Sequence, residues 1–445
     1  MSAESKDLLD QARQGMKIAL ARGAQGVRAT VHRNSESSVE RRNAHIERVR
    51  ESTSLSLSLA LYVDGRYSSN TTSDLRPQAI EQFIGESVAM TRALAPDPNR
   101  ALADPDRYAS RIATDLKLFD REVLNVSPDW RRQMASEVEA GARSLPEIHK
   151  QILSVQTSCS TSLSELAKVT SNGMEGIETN SNFSLSAQVT VRDANDRKPA
   201  AGWYATSISK SKLASPQEVG QRAARRAARR VGASPRATGE YPCVIENACA
   251  NRLLDALWSA LEGGAIQQKR SFLAGKIGQT VGSPLLHVID DPHVIEGLGS
   301  TAFDYEGMAT RPRPVFERGT LRSFYLDTYY ARKLKTDATS GARGNLVWER
   351  GGVDLDGLLA NMGTGILITN FIGGNSNSAT GDFSFGVQGQ WFDKGQRVGP
   401  IAEMNLSANH LTFWRKLVEL GNDPYPYSSN RRPSLRFDAV QFSGK

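Results

Sequence analysis

Cysteine and histidine are scarce in this chain, and long apolar runs are missing. Its three cysteines, Cys159, Cys243 and Cys249, cannot all pair with one another, and none stands in a CxxC knuckle. A disulfide scaffold and a cysteine-based zinc ribbon are therefore excluded. Only six histidines, His32, His45, His149, His287, His293 and His410, are available to a metal centre. No run approaches eighteen consecutive apolar residues, so no membrane-spanning helix is expected. The opening, MSAESKDLLDQARQ, is polar and lacks the apolar stretch of a secretory signal, which makes the cytoplasm the expected compartment. There is no GxSxG elbow for a serine nucleophile.

What is present is a globular composition. The 445 residues, 39% hydrophobic and 23% charged, suffice for two or three domains with sizeable cores. The formal net charge of +7 raises the question of an acidic partner. Much of the excess sits in Arg222, Arg225, Arg226, Arg229 and Arg230, on a helix whose alanines are left for packing. No interleaved aromatics accompany these arginines, so a solvated helix face is expected rather than a nucleic-acid surface. Neutralising Arg225, Arg226 and Arg229 should then disturb packing little.

Periodicity predicts an α+β fold in two parts, residues 1–235 and 236–445. In the first part an amphipathic helix is expected over Ser5–Arg22 and a strand over Val27–His32. Leu55, Leu57, Leu59 and Leu61 alternate with small polar residues in a half-buried strand, and Asp64-Gly65 turns it into Arg66–Thr72. Helices follow from Pro77 to about Leu94 and, capped by Ser127 with Pro128 at its first position, to about Arg143. Separate strands are predicted at Gln151–Ser158, Glu165–Ser171, Gly176–Asn182, Ser184–Arg192 and Ala200–Ile208, before the arginine helix that Ser215-Pro216 opens. A strand–strand–helix order thus occurs twice, which suggests an internal duplication of a sheet with packed helices. Beyond Gly239 glycine-bounded strands dominate, so a β-rich barrel- or sandwich-like domain is expected, with helices near Asn247–Leu261 and Ala408–Leu420.

The densest stretch runs from Gly341 to Leu420. It holds the apolar run Met362–Asn370, a glycine-rich loop from Gly373 to Asp382, and a second strand from Phe385 to Phe392. Glycine stands where backbones approach closely or take positive φ, so Gly363, Gly365, Gly374 and Gly381 suggest a backbone-lined groove. Asn370, Asn375, Thr380 and Asp382 are the candidates to orient an extended peptide along a strand edge. Thr380 and Asp382 equally suit the capping of an ordinary turn.

The order MGTGILITNFIGG, ATGDFSFGVQGQWFDKGQ and a final GND resembles the C-terminal part of the TldD/PmbA family. The segments from His287 to Gly307 and from Ser323 to Leu334 resemble its PmbA (TldE) branch, and Arg50–Thr53 with Leu61–Asn70 its first segment. That resemblance implies one subunit of a cytoplasmic two-subunit metallopeptidase acting on unfolded or leader peptides. Its TldD-like partner would carry the zinc, and this chain would hold no cofactor. A homodimer is the alternative assembly for the chain alone, and homo- and hetero-oligomer both stay open at this point.

In the catalytic branch an HExxxH motif follows a Leu-Leu pair. Setting Leu253-Leu254 on that pair puts Asp255, Ala256 and Ala260 where the first histidine, the glutamate and the second histidine would stand. Neither alanine offers a donor or a base, so no catalytic residue and no metal ligand is expected here. The helix reads instead as packing through Leu253, Leu254, Leu257, Trp258 and Leu261. One other grouping has ligand-like density: His287, Asp290, Asp291, His293 and Glu296. It is the only handle for the alternative of an autonomous peptidase. A basic nucleic-acid adaptor built on Arg222–Arg230 is the third alternative.

Overall fold

The computed structural model describes residues 3–108 and 115–445. The first part contains helix α1 (Ala3–Ala21) and strands β1 (Gly26–Arg42), β2 (His45–Val63) and β3 (Arg66–Thr72), followed by helices α2 (Pro77–Arg92), α3 (Pro128–Arg143) and α4 (Pro146–His149). Strands β4 (Ile152–Thr170), β5 (Glu175–Val191) and β6 (Ala200–Ser207) come next, and helix α5 (Pro216–Ala228) ends this part. The six strands form one antiparallel sheet in the order β3-β2-β1-β4-β5-β6. Leaving aside the single turn of α4, helix–three strands–helix occurs twice, and the halves meet at β1 and β4.

Each half buries its own core. Leu57, Leu59 and Leu61 of β2 pack with Val27 and Val31 against Leu8, Leu9 and Ile84 of α1 and α2. Val155, Leu185 and Val189 pack against Val138 of α3 and Ala223 and Ala224 of α5. The crossing of α3 and α5 depends on Gly220, where a Cβ would collide with the Val138 carbonyl. Ser127 and Ser215 cap α3 and α5 as the sequence predicts, their Oγ atoms accepting from Trp130 N and Glu218 N at 3.1 Å each. Strands β4 and β5 each run unbroken where two short strands were expected. The serine-rich middle of β4 is held between β1 and β5, Val39 opposite Cys159 and Cys159 opposite Leu185, and this pairing overrides its weak strand propensity.

The second part is a barrel rather than a sandwich. Its strands are β7 (Gly239–Ile245), β8 (Val288–Asp291), β9 (Arg313–Glu317), β10 (Thr320–Leu321), β11 (Asn345–Trp348) and β12 (Gly365–Ser376). They continue with β13 (Asp382–Asp393), β14 (Gln396–Asn409), β15 (Leu417–Leu420), β16 (Asn430–Arg431) and β17 (Leu435–Ser443). The order β14-β13-β12-β7-β17 closes on itself through β14–β17 pairing. A smaller sheet, β10-β9-β8-β11-β16, lies beside it. Helices α6 (Asn251–Ser259), α7 (Gly263–Gln267), α8 (Thr328–Leu334), α9 (Leu355–Met362) and α10 (His410–Phe413) connect them.

Three expectations fail here. The helix expected over Ala408–Leu420 is shorter, the turn of α10 continued by a 3₁₀ turn over Trp414–Lys416. Phe413, Trp414, Leu417 and Leu420 have helical spacing, but Leu417–Leu420 pairs with β17 instead. Met362 closes α9 rather than opening a strand, with Gly363 at φ 68° as its C-cap. The stretch after Gly373 is strand β12 as far as Ser376, so the loop proper is shorter than expected. No described helix is long and apolar enough to cross a membrane.

Candidate functional site

Helix α6 lies where the family resemblance places the zinc-binding helix. Its apolar residues repeat at helical spacing, and Leu253, Leu254, Leu257, Trp258 and Leu261 are all buried. Arg252, Asp255 and Ser259 form the opposite, exposed face, and Glu262 stands exposed in extended backbone just beyond the helix. Ala256 is nearly covered and Ala260 is fully sealed in the core. The three positions thus supply one outward carboxylate, no imidazole and no base. This residue set does not fit a catalytic zinc ion.

The exposed face of α6 separates two polar cavities that share Asp255. One, of about 430 Å³, lies between α6 and the end of β12, lined by Arg252, Ser259, Gly374, Asn375, Ser376 and Phe385. The other, of about 470 Å³, lies on the far side, lined by Asn251, Trp258, Glu262, Tyr325, the glycine-flanked segment Gly341–Gly344, and Ser428–Asn430. A larger open depression of about 1200 Å³ lies between β5 and residues 115–122. Two of its lining carboxylates are paired, Glu122 with Lys210 and Glu296 with the neighbouring Lys212.

The sequence-predicted binding residues do not form one groove. Gly363 and Gly365 stand at one end of β12, and Gly374 and Asn375 at the other, roughly 30 Å away at 3.3 Å per residue. Asn370 Nδ2 donates to Gln388 Oε1 at 2.9 Å within the barrel wall. Gly374 has φ 81° at a break in the β12–β13 register, where a Cβ would meet the Ser384 carbonyl. Thr380, Gly381 and Asp382 make a turn: Thr380 Oγ1 donates to Asp382 Oδ2 at 2.6 Å, and Asn409 Nδ2 donates to Asp382 Oδ1 at 2.8 Å. These bonds hold the Asp382 carboxyl below its ordinary range, first through Thr380 and then through Asn409. Of the predicted set, only Gly374 and Asn375 line a cavity beside α6.

Nor is the outer edge of β12 free to add a peptide strand. Beyond Ile368, where pairing with β7 stops, side chains occupy its carbonyls. Arg226 donates to Thr369 O at 2.9 Å, and Arg252 to Gly373 O at 2.8 Å. The expectation of a solvated arginine face is corrected by the same contacts. Arg226 also pairs with Glu246 at 2.7 Å, with both side chains largely buried. Arg222 lies 3.9 Å from the Trp203 ring centroid, and Arg230 donates to Ala200 O. Arg222, Arg225 and Arg229 nevertheless remain exposed, so only Arg226 and Arg230 depart from that expectation.

The His287–Glu296 grouping disperses. Asp290 is buried against Arg313 and the Gly344 N–H, His293 Nε2 meets Thr310 Oγ1 at 3.0 Å, and Glu296 reaches Lys212. Burial raises the Asp290 carboxyl above its ordinary range. Among the described residues, no three His, Cys, Asp or Glu side chains gather to hold a metal ion. Burial also pushes the Cys159 and Cys249 thiols up to about 12, far from a reactive thiolate. The residues that sequence reasoning missed are Asn251, Arg252, Glu262, Tyr325 and Arg343. The exposed polar face of α6 was the available signal, since it is the complement of the leucine stripe.

Residues 238–444 match the PmbA/TldA metallopeptidase C-terminal domain, and residues 121–231 match the central domain of the same family. The chain is 29% identical to metalloprotease PmbA of Escherichia coli O157:H7, covering all of this chain and 98% of that protein. It is also 29% identical to the PmbA homolog of Haemophilus influenzae, with the same coverage. A solved structure from Bacteroides thetaiotaomicron, described as a proposed modulator of DNA gyrase, superposes with a TM-score of 0.95 at 38% identity over the whole of both chains. TldE from Thermococcus kodakarensis shares the fold, with a TM-score of 0.86 at 18% identity over 98% of this chain and all of that one. The chain belongs to the PmbA/TldD family.

Proposed function

We propose that this protein is a non-catalytic TldE-type subunit of a cytoplasmic peptidase, pairing with a zinc-bearing TldD-type partner to hydrolyse unfolded or leader peptides. One observation carries the reading: at the three positions of the zinc motif, α6 presents Asp255 to solvent and two alanines, with Ala260 sealed in the core. A metallopeptidase helix needs two imidazoles and a carboxylate base there. The relatives named metalloprotease support the reaction class, and the polar cavities beside α6 supply surface for a peptide.

The test is to purify the chain alone and together with a TldD-type protein from the same cell, then measure zinc and cleavage of unfolded β-casein. Stoichiometric zinc and cleavage are expected in the mixture alone, and both should disappear when the partner's motif is altered. About one tightly held zinc and casein cleavage in the isolated chain, lost in His287→Ala or His293→Ala, would overturn the proposal.

A further inference from the structure

The first sheet has two edge segments that its repeated halves make equivalent, and the chain covers only one of them. In each half a short outer strand pairs with only the C-terminal half of the strand beside it: β3 with β2 from Leu57 onward, and β6 with β5 from Phe183 onward. The remainder of β5 is covered by the chain itself. Ser181 N–H donates to Leu118 O at 2.9 Å, Asp120 N–H donates to Ser181 Oγ at 2.8 Å, and Phe303 and Thr301 lie over Gly176 and Glu178. The matching remainder of β2, Ile46–Ser56, has no such cover. Strand β3 stops at Thr72 opposite Leu57, the chain turns away into α2 at Pro77, and no described strand pairs with the outer side of β2 from there to its start.

Strand alternation identifies the backbone groups left over. Tyr62 O accepts from Gln25 N on the β1 side, and the β1–β2 register runs unbroken from Tyr62 to Arg48. The N–H and C=O groups of Val49, Glu51, Thr53 and Leu55 therefore point outward from the sheet. At 3.3 Å per residue this edge is roughly 30 Å long. No side chain from His45 to Ser56 is buried, so the segment is bare on both faces as well as along its edge. Val49 is 55% exposed and Ile46 45%. The usual protections of an edge strand are missing here: it holds no proline and no lysine, and its one register shift lies at the hairpin end, opposite Glu40 and Arg41.

Shape and charge select the occupant. A short peptide is held in a groove, whereas this strand projects and offers two faces and an edge, which suits a whole protein surface. A second copy brings the matching edge, because the groups of an antiparallel ladder complement themselves about a two-fold axis normal to the sheet. The exposed charges balance, Glu47 and Glu51 against Arg48 and Arg50, and Arg48 already faces Glu40 at 3.8 Å. Two copies thus meet without net repulsion. We infer that two copies of this chain pair through the outer edges of β2 over Val49–Leu55, joining their six-stranded sheets into one across a two-fold axis. Nothing in this pairing depends on the zinc motif or on peptide cleavage.

Sedimentation equilibrium of the isolated full chain should give a dimer. Thr53→Pro removes an outward N–H without touching the β1 ladder, and Val49→Lys sets two like charges at the joined edges. Each should weaken the dimer at least about tenfold while the far-ultraviolet circular dichroism stays that of the parent. Single cysteines introduced as Val49→Cys, Glu51→Cys, Thr53→Cys and Leu55→Cys give a readout that leaves the backbone alone. Mild oxidation should cross-link the position nearest the axis into a covalent dimer and spare the one farthest from it, while the parent does not cross-link. A monomeric parent, a dimer that survives both variants, or no cross-link at any of the four positions overturns the pairing. So does a chain that is monomeric alone and uses this edge only toward a TldD-type protein, with Thr53→Pro abolishing that complex. Zinc content and casein cleavage do not enter these measurements, so failure here and failure of the subunit reading remain distinguishable.

Discussion

His410 shows how a single buried side chain sets a pH dependence. It is 1% exposed, its ring is stacked on Phe272 at 5.3 Å, and its Nδ1 accepts from Trp414 Nε1 at 3.0 Å. Burial pushes its pKa down from 6.5 to about 4. As pH falls below 6.5 the unfolded chain takes up the proton first, while the folded chain resists until about 4. Stability is therefore fully present above 6.5 and lost as pH falls through that window, by on the order of 3 kcal/mol from this one group. Urea unfolding at pH 7, 6 and 5 should show the loss. His410→Gln, which keeps an acceptor for Trp414, should flatten the slope. An identical slope in parent and variant would assign the acid sensitivity to other groups.

At the scale of the element, α5 divides its arginines into two kinds. Arg226 neutralises Glu246 at 2.7 Å where both side chains are mostly buried, and it also satisfies the Thr369 carbonyl. Arg226→Gln should cost about 3 kcal/mol by stranding a buried carboxylate, whereas Arg225→Gln on the exposed face should change stability by no more than about 0.5 kcal/mol. Chemical denaturation of the two variants separates these outcomes, and equal effects would return α5 to a plain solvated face. The ends of α5 were legible in the sequence because Ser215, Pro216 and the alanine stripe act locally. Its arginine partners were not, because Trp203, Glu246 and Thr369 reach it from other strands and turns. The same division holds at the candidate site. The missing zinc ligands of α6 could be read directly from Asp255, Ala256 and Ala260. The cavities on either side of α6 could not, since the segments that complete them, Gly341–Gly344, Ser428–Asn430 and the end of β12, come from distant parts of the chain. Strand β12 misled for a further reason: glycines that suggested an open groove instead serve a helix cap at Gly363 and a register break at Gly374.

For the whole molecule, the question is whether the sheet-and-helix part and the barrel part unfold separately. The contacts between them are extensive and come from opposite ends of the first sheet. At one end the segment 301–309 docks on β4 and β5: Lys168 Nζ donates to Asp304 O at 2.8 Å and lies 5.0 Å from the Phe303 ring centroid, and Gly176 leaves the room that Phe303 fills. Beside it, Glu306 is buried, accepts from Thr328 N at 2.7 Å, and faces Arg28 at 4.0 Å. At the other end Tyr425 and Tyr427 pack edge-on against Trp203 at 6.0 and 6.3 Å. Separating the parts while each stays folded would expose the Phe303 and Tyr425 rings and break the Lys168–Asp304 bond, which couples the two transitions. Calorimetry of the parent protein should therefore give one peak whose van't Hoff and calorimetric enthalpies agree. Phe303→Ala removes the docking ring at one end and Tyr425→Ala the packed ring at the other, each costing about 3 kcal/mol as a buried aromatic truncation. Together they should split the peak in two, the lower transition tracking loss of the first sheet. A single peak that merely moves down in the double variant would mean that the arginine contacts of α5 alone suffice to bind the two parts into one cooperative unit.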